Sequence, residues 1–260
     1  EIAKLAVVIY FADSISKKKR KMETWRYGIV PYLAVLGLIA ILMMLEPHLS
    51  GTILIVGTGI VMMIVGGIQR WLVAAGLGGV GIVAVLYVQL VEKGIIQYGK
   101  GRIDTWRDPF NEAWFHGDGW QISQSLIAIG SGGIFGNGLF SGRYYSVPNA
   151  HNDFILSWLG NAIGFVGLCI VLGALLALVI KTFATGARSE DLLGSYICAG
   201  IGGALMAQIA VNVGMNLRVL PVIGVTLPFY SAGGSSVLML YICVGLVLSV
   251  YMHNTKSLFG

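Results

Sequence analysis

The sequence is poor in charged residues. Asp, Glu, Lys and Arg make up 11% of its 260 residues and hydrophobic residues 56%, whereas a soluble domain carries roughly 25% charged residues. This deficit excludes an ordinary soluble domain, and the apolar runs are long enough to be membrane-spanning helices rather than the strands of a membrane barrel. The composition therefore predicts an all-α, polytopic transmembrane helix bundle.

Cysteine is scarce as well, and histidine is scattered. The three cysteines, Cys169, Cys198 and Cys243, lie inside apolar runs and are too far apart for a metal-binding motif. The four histidines match no zinc-binding spacing. The cysteines are therefore expected to serve packing, and a structural zinc site is not expected.

The basic residues are clustered. Five consecutive Lys and Arg residues, 17–21, follow the first apolar run, and a basic loop beside a membrane segment stays on the cytoplasmic side. A nucleic-acid-binding patch is the alternative for such a cluster, but its place beside a transmembrane run favours the topological interpretation. We therefore expect no nucleic-acid partner.

Seven apolar runs are compatible with transmembrane helices; the first is short, and the next three are each near the ~20 residues that a span requires. They cover residues 2–15, 28–45, 51–68, 71–91, 154–180, 194–215 and 235–252. If successive runs cross the membrane in alternating directions, starting from the cytoplasmic basic cluster, residues 92–152 and 216–234 are external loops. The whole chain, residues 1–260, then forms a single integral-membrane domain. Because long loops tend to be functional, we expect the site in the first loop, with residues 120–129 as a short interfacial helix.

Most of the 37 glycines fall inside the apolar runs, where small residues let transmembrane helices approach closely. One glycine-rich stretch, IGSGGIFGNG over residues 129–138, lies in the long loop and has two interpretations. Its backbone N–H groups could bind a pyrophosphate, or it could form a tight irregular turn packed on the membrane. The sequence leaves both open.

Asp153 opens the apolar run that follows the long loop and is the candidate catalytic residue. In the structural interpretation, Asn152 and Asp153 form a helix N-cap, for which both residue types are favoured. In the functional one, Asp153 is a general base whose pKa is raised by partial desolvation at the membrane surface. The two roles are compatible. His151 could join this site or lie at the membrane interface.

Other charged residues give weaker signals. Glu1 and Lys4 are three residues apart and would pair on one helix face, although Lys4 could instead extend toward the membrane surface. Arg102, Arg107 and Arg143 could hold an anionic head group or contact anionic lipids.

The second external loop contains two prolines and three glycines between residues 220 and 236. Irregular backbone at membrane depth is tolerated where it is buried in protein or lines a cavity. This loop is therefore expected to wall the same cavity as the first.

Together, these stretches resemble the SEDS family of bacterial cell-wall polymerases (RodA, FtsW and SpoVE). Residues 1–4, EIAK, look like the end of its PSExAK motif, and residues 121–138 are similar to its QxxQSxIAIGSGGxxGxG loop, with Arg102 and Pro109 at the matching upstream positions. Residues 150–155, AHNDFI, resemble its A/R-H-T-D-F-I motif, and residues 220–236 resemble its LPxxGxxLPFxSxGGSS loop. The ordered set covers nearly the whole chain.

The resemblance implies a fold of ten transmembrane helices, so that about three would precede Glu1. It implies an inverting glycosyltransferase that joins lipid II units into glycan strands at the outer face of the bacterial cytoplasmic membrane. Asp153 would take the proton from the acceptor's GlcNAc 4-hydroxyl, which attacks the donor's MurNAc anomeric carbon and releases polyprenyl pyrophosphate. Arg102 or a divalent cation (Mg²⁺ or Mn²⁺) would stabilise that leaving group, and no organic cofactor is expected.

The resemblance also implies the partners and the remaining site residues. The expected protein partner is a single-span class B penicillin-binding protein, which supplies the transpeptidase and activates the polymerase; lipid II and membrane lipids are the other expected contacts. Asp153 is the expected catalytic residue. The residues expected to bind substrate are Glu1, Lys4, Arg102, Gln121, Gln124, Ser125, His151, Ser231, Gly233, Gly234 and Ser235.

The sequence departs from the family pattern at charged positions. Asn161 and Ala162 replace the two Glu of an EELG motif, and the PDLG turn reads PHLSG over residues 47–51. The usual Lys and Glu at Asn137 and Asn149 are both Asn. A catalytically degenerate scaffold, or a flippase for the lipid-linked precursor, is therefore the alternative function. The uncharged interiors of most spans favour surface chemistry over transport.

Overall fold

The structure is a computed structural model, which describes residues 1–18, 22–46, 49–93, 100–115, 117, 119–139, 147 and 150–259. These residues form ten α-helices and no β-strand. The all-α class that the composition predicts is therefore confirmed. The expectations for Arg143, for Asn149 and for the turn at Pro47 and His48 lie outside the described residues.

The apolar runs form the long helices. These are α1 (Ile2–Lys18), α2 (Val30–Leu45), α3 (Leu49–Val65), α4 (Arg70–Glu92), α8 (Ile155–Ala187), α9 (Leu192–Asn216) and α10 (Gly234–Phe259). The long loop contains three short helices, α5 (Lys100–Arg107), α6 (Glu112–Phe115) and α7 (Trp120–Ser131). Each predicted run coincides with one long helix, although α8 and α10 continue past the predicted ends at residues 180 and 252. The helix predicted over residues 120–129 is confirmed as α7.

Several helices have the length and composition of membrane spans. Within the described residues, three are long and apolar enough to cross a membrane, namely Ile155–Ala187, Leu192–Asn216 and Gly234–Asn254. Two shorter apolar helices cover Val30–Met43 and Ser50–Val65. Large apolar side chains face outward, with Ile170 68% and Leu238 62% exposed, as expected where lipid covers the protein surface. The chain is accordingly a membrane protein.

The chain forms two compact units. Unit 1 comprises Glu1–Arg70, Ala174–Ile209 and Ala232–Gly260, and unit 2 comprises Trp71–Gly173 and Ala210–Ser231. Helices α8 and α9 each contribute one end to unit 1 and the other to unit 2.

Unit 1 packs closely around α1. The rings of Phe11 and Tyr32 meet edge to face at 4.8 Å, a favourable aromatic geometry. At Gly200 on α9, an added Cβ would lie 2.8 Å from Val8 Cγ1 and 2.9 Å from Met62 Sδ. The lack of a side chain there lets three helices approach one another, in agreement with the predicted packing role of span glycines.

In unit 2, helix α8 is broken rather than continuous. Gly164 adopts φ 67° and ψ −170°, in the positive-φ range that favours glycine. A continuous helix would bond the following N–H groups to carbonyls four residues earlier. Instead, the N–H groups of Phe165 and Val166 donate to the carbonyls of Gly133 (2.9 Å) and Ile134 (3.1 Å). The single apolar run predicted over residues 154–180 is therefore two helical segments.

On the other side of the break, the helix carbonyls accept hydrogen bonds from the same stretch, residues 132–138, which we call the glycine loop. The N–H groups of Asn137 and Gly138 donate to the carbonyls of Asn161 and Ala162, each over 2.9 Å. Gly136 has φ +83°, and an added Cβ would lie 2.3 Å from the Ala162 carbonyl oxygen. These N–H groups are used inside the protein, so the structure favours the packed irregular turn over a pyrophosphate-binding loop.

Candidate functional site

Asp153 lies in the turn at residues 150–154, two residues before α8 begins at Ile155. An N-cap residue accepts a hydrogen bond from an N–H of the first helical turn through its side chain. Within the described residues the Asp153 carboxylate accepts no such bond. The cap interpretation is therefore not supported, and the carboxylate is available for another role.

The Asp153 side chain lines a cavity of about 570 Å³ inside unit 2. The walls come from α5, Gly117, residues 120–122, residues 153–154 and residues 222–224. Arg102 and Gln121 line the same cavity. The structure thus brings together three residues that the sequence singled out, in a space within the size range of small-molecule sites.

Burial changes the acid–base properties of Asp153. Partial removal from water raises the pKa of its carboxyl above the ordinary value of 3.8, because desolvation disfavours the charged form. A carboxylate with a raised pKa is a stronger base when ionised, which suits proton abstraction from a substrate.

Gly224 keeps the carboxylate accessible. This residue has φ +78°, and an added Cβ would lie 3.2 Å from Oδ2 of Asp153. Any side chain at this position would both strain the backbone and cover one face of the carboxylate. The sequence indicated Gly224 only through the second-loop motif, without this contact.

Arg102 supplies positive charge to the cavity. It lies on α5 with an exposed side chain, and its guanidinium has no hydrogen-bond or ion-pair partner among the described residues. Arg218 fixes the end of α5: its Nε donates to the Trp106 carbonyl over 2.8 Å, and Trp106 Nε1 donates back to the Arg218 carbonyl over 3.1 Å. Arg218 Nη2 also donates to the carbonyl of Arg107. The helix is thus anchored while Arg102 is free to bind an anion.

Thr105 and Trp120 are among the cavity residues that were not singled out from the sequence. The Trp120 ring packs edge to face on Phe115, with ring centroids 5.6 Å apart. An aromatic ring beside a few polar groups is the usual composition of a ligand pocket. The concentration of aromatic residues in the long loop was the available signal.

The other residues predicted in α7 and around Asp153 do not line this cavity. Gln124 and Ser125 are buried on α7, and Ser125 Oγ donates to Asn216 Oδ1 over 3.4 Å. His151 is exposed in the same turn as Asp153. The structure therefore gives Ser125 a role in holding the walls, while its predicted contact with substrate stays a prediction.

Ser231 is a buried link within unit 2. Its Oγ donates to the Asn152 carbonyl and accepts a bond from the Leu227 N–H, each over 2.7 Å. It thereby joins the second loop to the residue that precedes Asp153. Gly234 and Ser235 begin α10 and Gly233 precedes it, all in unit 1.

Glu1 and Lys4 form a second polar cluster, in unit 1. Their side chains pair over 2.8 Å, which confirms the predicted i, i+3 pairing, and Lys4 Nζ donates to Gln208 Oε1 over 3.2 Å. The cluster lines a cavity of about 40 Å³ together with Ser236 and Cys243. Ionisable residues among apolar helices are costly and usually functional.

The predicted divalent cation was compared with the donors present. Within the described residues, no three His, Cys, Asp or Glu side chains group in a way that could hold a metal ion. Asp153 is the carboxylate in the described lining of its cavity, and one carboxylate is not a dedicated protein site. The residues do not fit a cation held by the protein alone, so the cation stays a prediction.

The chain was compared with known protein families and curated proteins. The model of the cell cycle protein family of FtsW, RodA and SpoVE matches residues 1–256. A probable peptidoglycan glycosyltransferase FtsW from Geobacter sp. (strain M18) is 31% identical over 252 residues, 96% of this chain and 67% of that protein. Stage V sporulation protein E from Bacillus subtilis (strain 168) is 34% identical over 261 residues, 98% of this chain and 68% of that protein. The chain thus spans about two thirds of the length of these relatives.

Solved structures show the same fold. A chain of a peptidoglycan synthase complex, described as coordinating polymerization and crosslinking, matches 96% of this chain and 68% of its own length, with a TM-score of 0.73 and 26% identity. Rod shape determining protein RodA from Thermus thermophilus matches 96% of this chain and 64% of its own length, with a TM-score of 0.59 and 23% identity. With a family model matching residues 1–256, the chain belongs to the FtsW, RodA and SpoVE family.

Proposed function

We propose that this protein is a peptidoglycan glycosyltransferase that polymerises lipid II, with Asp153 as its general base. The observation that carries the proposal is the half-buried Asp153 carboxylate, whose pKa is raised and which lines one cavity with Arg102 and Gln121. The reaction class is supported by the name of the FtsW relative, a probable peptidoglycan glycosyltransferase.

The reaction is a single displacement with inversion. Asp153 accepts the proton of the GlcNAc 4-hydroxyl of the acceptor as that oxygen forms a bond to the anomeric carbon of the donor MurNAc. The bond from the same carbon to the pyrophosphate oxygen breaks, and polyprenyl pyrophosphate leaves with the electron pair. The proton on Asp153 then passes to water. Gln121 lies where its amide can orient a sugar hydroxyl.

Arg102 is the group available to stabilise the departing pyrophosphate, because its guanidinium is free to form charge-assisted hydrogen bonds. Replacing Arg102 with glutamine is expected to lower kcat about tenfold, the equivalent of one such bond in a partly screened position. The measurement is the rate of lipid II consumption. Arg188→Gln, on an exposed arginine outside the described cavity lining, is the matched control, and equal rates for both variants would contradict the assignment.

The rate is expected to depend on pH through Asp153. Because burial raises the pKa of this carboxyl above 3.8, the ionised base is lost on acidification at a higher pH than for an ordinary aspartate. The acid limb of the profile of kcat/KM against pH, which reports the free enzyme, should therefore lie above pH 3.8. A limb at or below that value, with the protein folded throughout, would contradict the proposed base.

The partner and the membrane follow from the same proposal. The matched chain of known structure comes from a peptidoglycan synthase complex, which supports a class B penicillin-binding protein as the transpeptidase partner. We propose that the site works on lipid II, which is carried on a membrane lipid, at the outer face of the bacterial cytoplasmic membrane, as the family resemblance implies. The same partnership suits roles in division, shape or sporulation.

The alternative is a degenerate scaffold or a precursor flippase, which the loss of two acidic side chains favours. Asn161 is buried, and its Nδ2 donates to Ser131 Oγ over 2.7 Å. The Asn161 backbone carbonyl accepts a bond from the glycine loop, and neither Asn161 nor Ala162 lines the Asp153 cavity within the described residues. These positions therefore support the break in α8, which argues that their change leaves the base in place.

The test uses the full-length protein purified with its transpeptidase partner and given labelled lipid II. Glycan strands are expected with the complex and not with the partner alone. If the intact complex forms no strands, the scaffold alternative replaces the enzyme. If labelled lipid II instead crosses the bilayer of a vesicle without being polymerised, the flippase alternative replaces the enzyme.

A further inference from the structure

We infer that Asn212 and Asn216 are positioning residues for the reaction, a pair of buried asparagines that hold the backbone of Asp153 and join three walls of its cavity. The inference rests on the proposed function of Asp153. Both residues lie on the last turns of α9, four positions apart, so that their side chains share one face of the helix. Both side chains are completely buried.

Asn212 ties Asp153 to the second loop. Its Nδ2 donates to the Asp153 carbonyl over 2.9 Å and to the Val225 carbonyl over 2.6 Å. An amide nitrogen carries two protons, and here both are used. Val225 follows Gly224, where an added Cβ would lie 3.2 Å from Oδ2 of Asp153. One side chain therefore fixes the spacing between the proposed base and the wall opposite it.

Asn216 adds the third wall. Its Nδ2 donates to the same Asp153 carbonyl over 3.1 Å and to the Asn212 carbonyl over 2.9 Å. Its Oδ1 accepts a bond from Ser125 Oγ on α7 over 3.4 Å. Helix α7 also carries Gln121, so the turn with Asp153, the second loop and α7 all meet at this asparagine pair.

Because the pair is buried, its loss is expected to lower the rate of the reaction. The Asp153 carbonyl accepts two hydrogen bonds, one for each lone pair, and both come from asparagines that water does not reach. Without them, this partly buried carbonyl would lose both of its asparagine donors, and the turn would shift to find others. A shift of about 1 Å in a reacting group can cost roughly a hundredfold in rate. Neither asparagine lines the cavity, so substrate affinity should change little.

The experiment compares Asn212→Ala and Asn216→Ala in the full-length protein with its transpeptidase partner, using labelled lipid II. We expect kcat to fall roughly a hundredfold for Asn212→Ala. The fall should be only roughly tenfold for Asn216→Ala, because this variant keeps the hydrogen bond from Asn212 to the Asp153 carbonyl. The KM for lipid II should stay within about twofold of the wild type. The milder Asn216→Ala variant keeps the test valid if Asn212→Ala does not fold.

Thr58→Val is the matched control. Thr58 is a fully buried residue of unit 1 whose hydroxyl donates to the Leu54 carbonyl over 2.7 Å, and its loss should leave kcat at the wild-type value. Folded asparagine variants with wild-type kcat, or with raised KM and unchanged kcat, would overturn the positioning role. An inactive wild-type complex would instead overturn the proposed function on which this role depends.

Discussion

Replacing Asp153 with asparagine is expected to lower the rate of lipid II polymerisation by roughly 10²- to 10⁴-fold, the contribution typical of general acid–base catalysis. The two side chains have nearly the same shape, but the amide cannot accept the hydroxyl proton. The Asp153 carbonyl would still be held by Asn212 over 2.9 Å, so the fold should be retained. The measurement is the amount and length of labelled glycan formed by the full-length protein with its transpeptidase partner.

Asp104→Asn is the matched control for this experiment. Asp104 is also an aspartate and lies on α5, next to the cavity residue Thr105, but it is not part of the described cavity lining. This variant should polymerise at the wild-type rate. If Asp153→Asn formed glycan at the same rate as Asp104→Asn, the protein would still be an enzyme, but its general base would be another residue.

Replacing Gly136 with alanine is expected to destabilise the protein by about 2 to 6 kcal/mol, from backbone strain and overpacking together. Gly136 has φ +83°, and its Cβ would lie 2.3 Å from the Ala162 carbonyl oxygen. That carbonyl accepts a bond from the Gly138 N–H, so the clash falls on the contact that closes the break in α8. The measurement is thermal unfolding of the purified protein in detergent, with the yield of folded protein as a second readout.

Gly130→Ala provides the comparison for Gly136. Gly130 lies within helix α7, and an added Cβ would meet nothing within 4 Å. Because alanine favours helix more than glycine does, by about 1 kcal/mol, this variant should unfold at an equal or higher temperature. Equal unfolding temperatures for the two variants would show that the glycine loop does not support the break.

The membrane helices could be predicted from the sequence because their physical signal is local. Hydrophobic runs of sufficient length have few alternatives in a membrane protein, and the predicted run over residues 194–215 agrees closely with α9, Leu192–Asn216. The ends of α8 and α10 were predicted too early, because both helices continue into more polar sequence. The side of the membrane on which each loop lies stays a prediction.

No local sequence pattern indicates that Asp153, Arg102 and Gln121 line the same cavity. These residues are far apart in sequence, and only the family resemblance suggested that they meet. The pair Asn212 and Asn216 could have been noticed as polar residues four positions apart at the end of an apolar run, where a buried amide needs partners. Their partners, however, are backbone carbonyls. Because every residue has a backbone carbonyl, residue types do not indicate which one is the partner.

The break in α8 was missed for a related reason. The sequence interpretation assigned Gly160, Gly164 and Gly167 together to helix packing, and composition cannot tell a glycine that permits close approach from one that requires positive φ. Gly164 has φ 67°, whereas an added Cβ at Gly160 would be 3.2 Å from Ile129 Cγ1 on α7. The distinction depends on which loop packs against the helix, and that is a property of the tertiary structure.

The division of α8 at Gly164 also bears on bilayer thickness. The segment over residues 165–187 has a length of roughly 35 Å at 1.5 Å per residue, but its last turns, from Lys181 on, are more polar, so its apolar part alone is shorter than the ~30 Å hydrocarbon core of a typical bilayer. The shorter segment beside Asp153 therefore contributes to the apolar length of α8, and the glycine loop fixes its direction. Because the glycine loop is hydrogen-bonded to both segments, we expect a change of helix tilt with lipid acyl-chain length to reach the turn that holds the carboxylate.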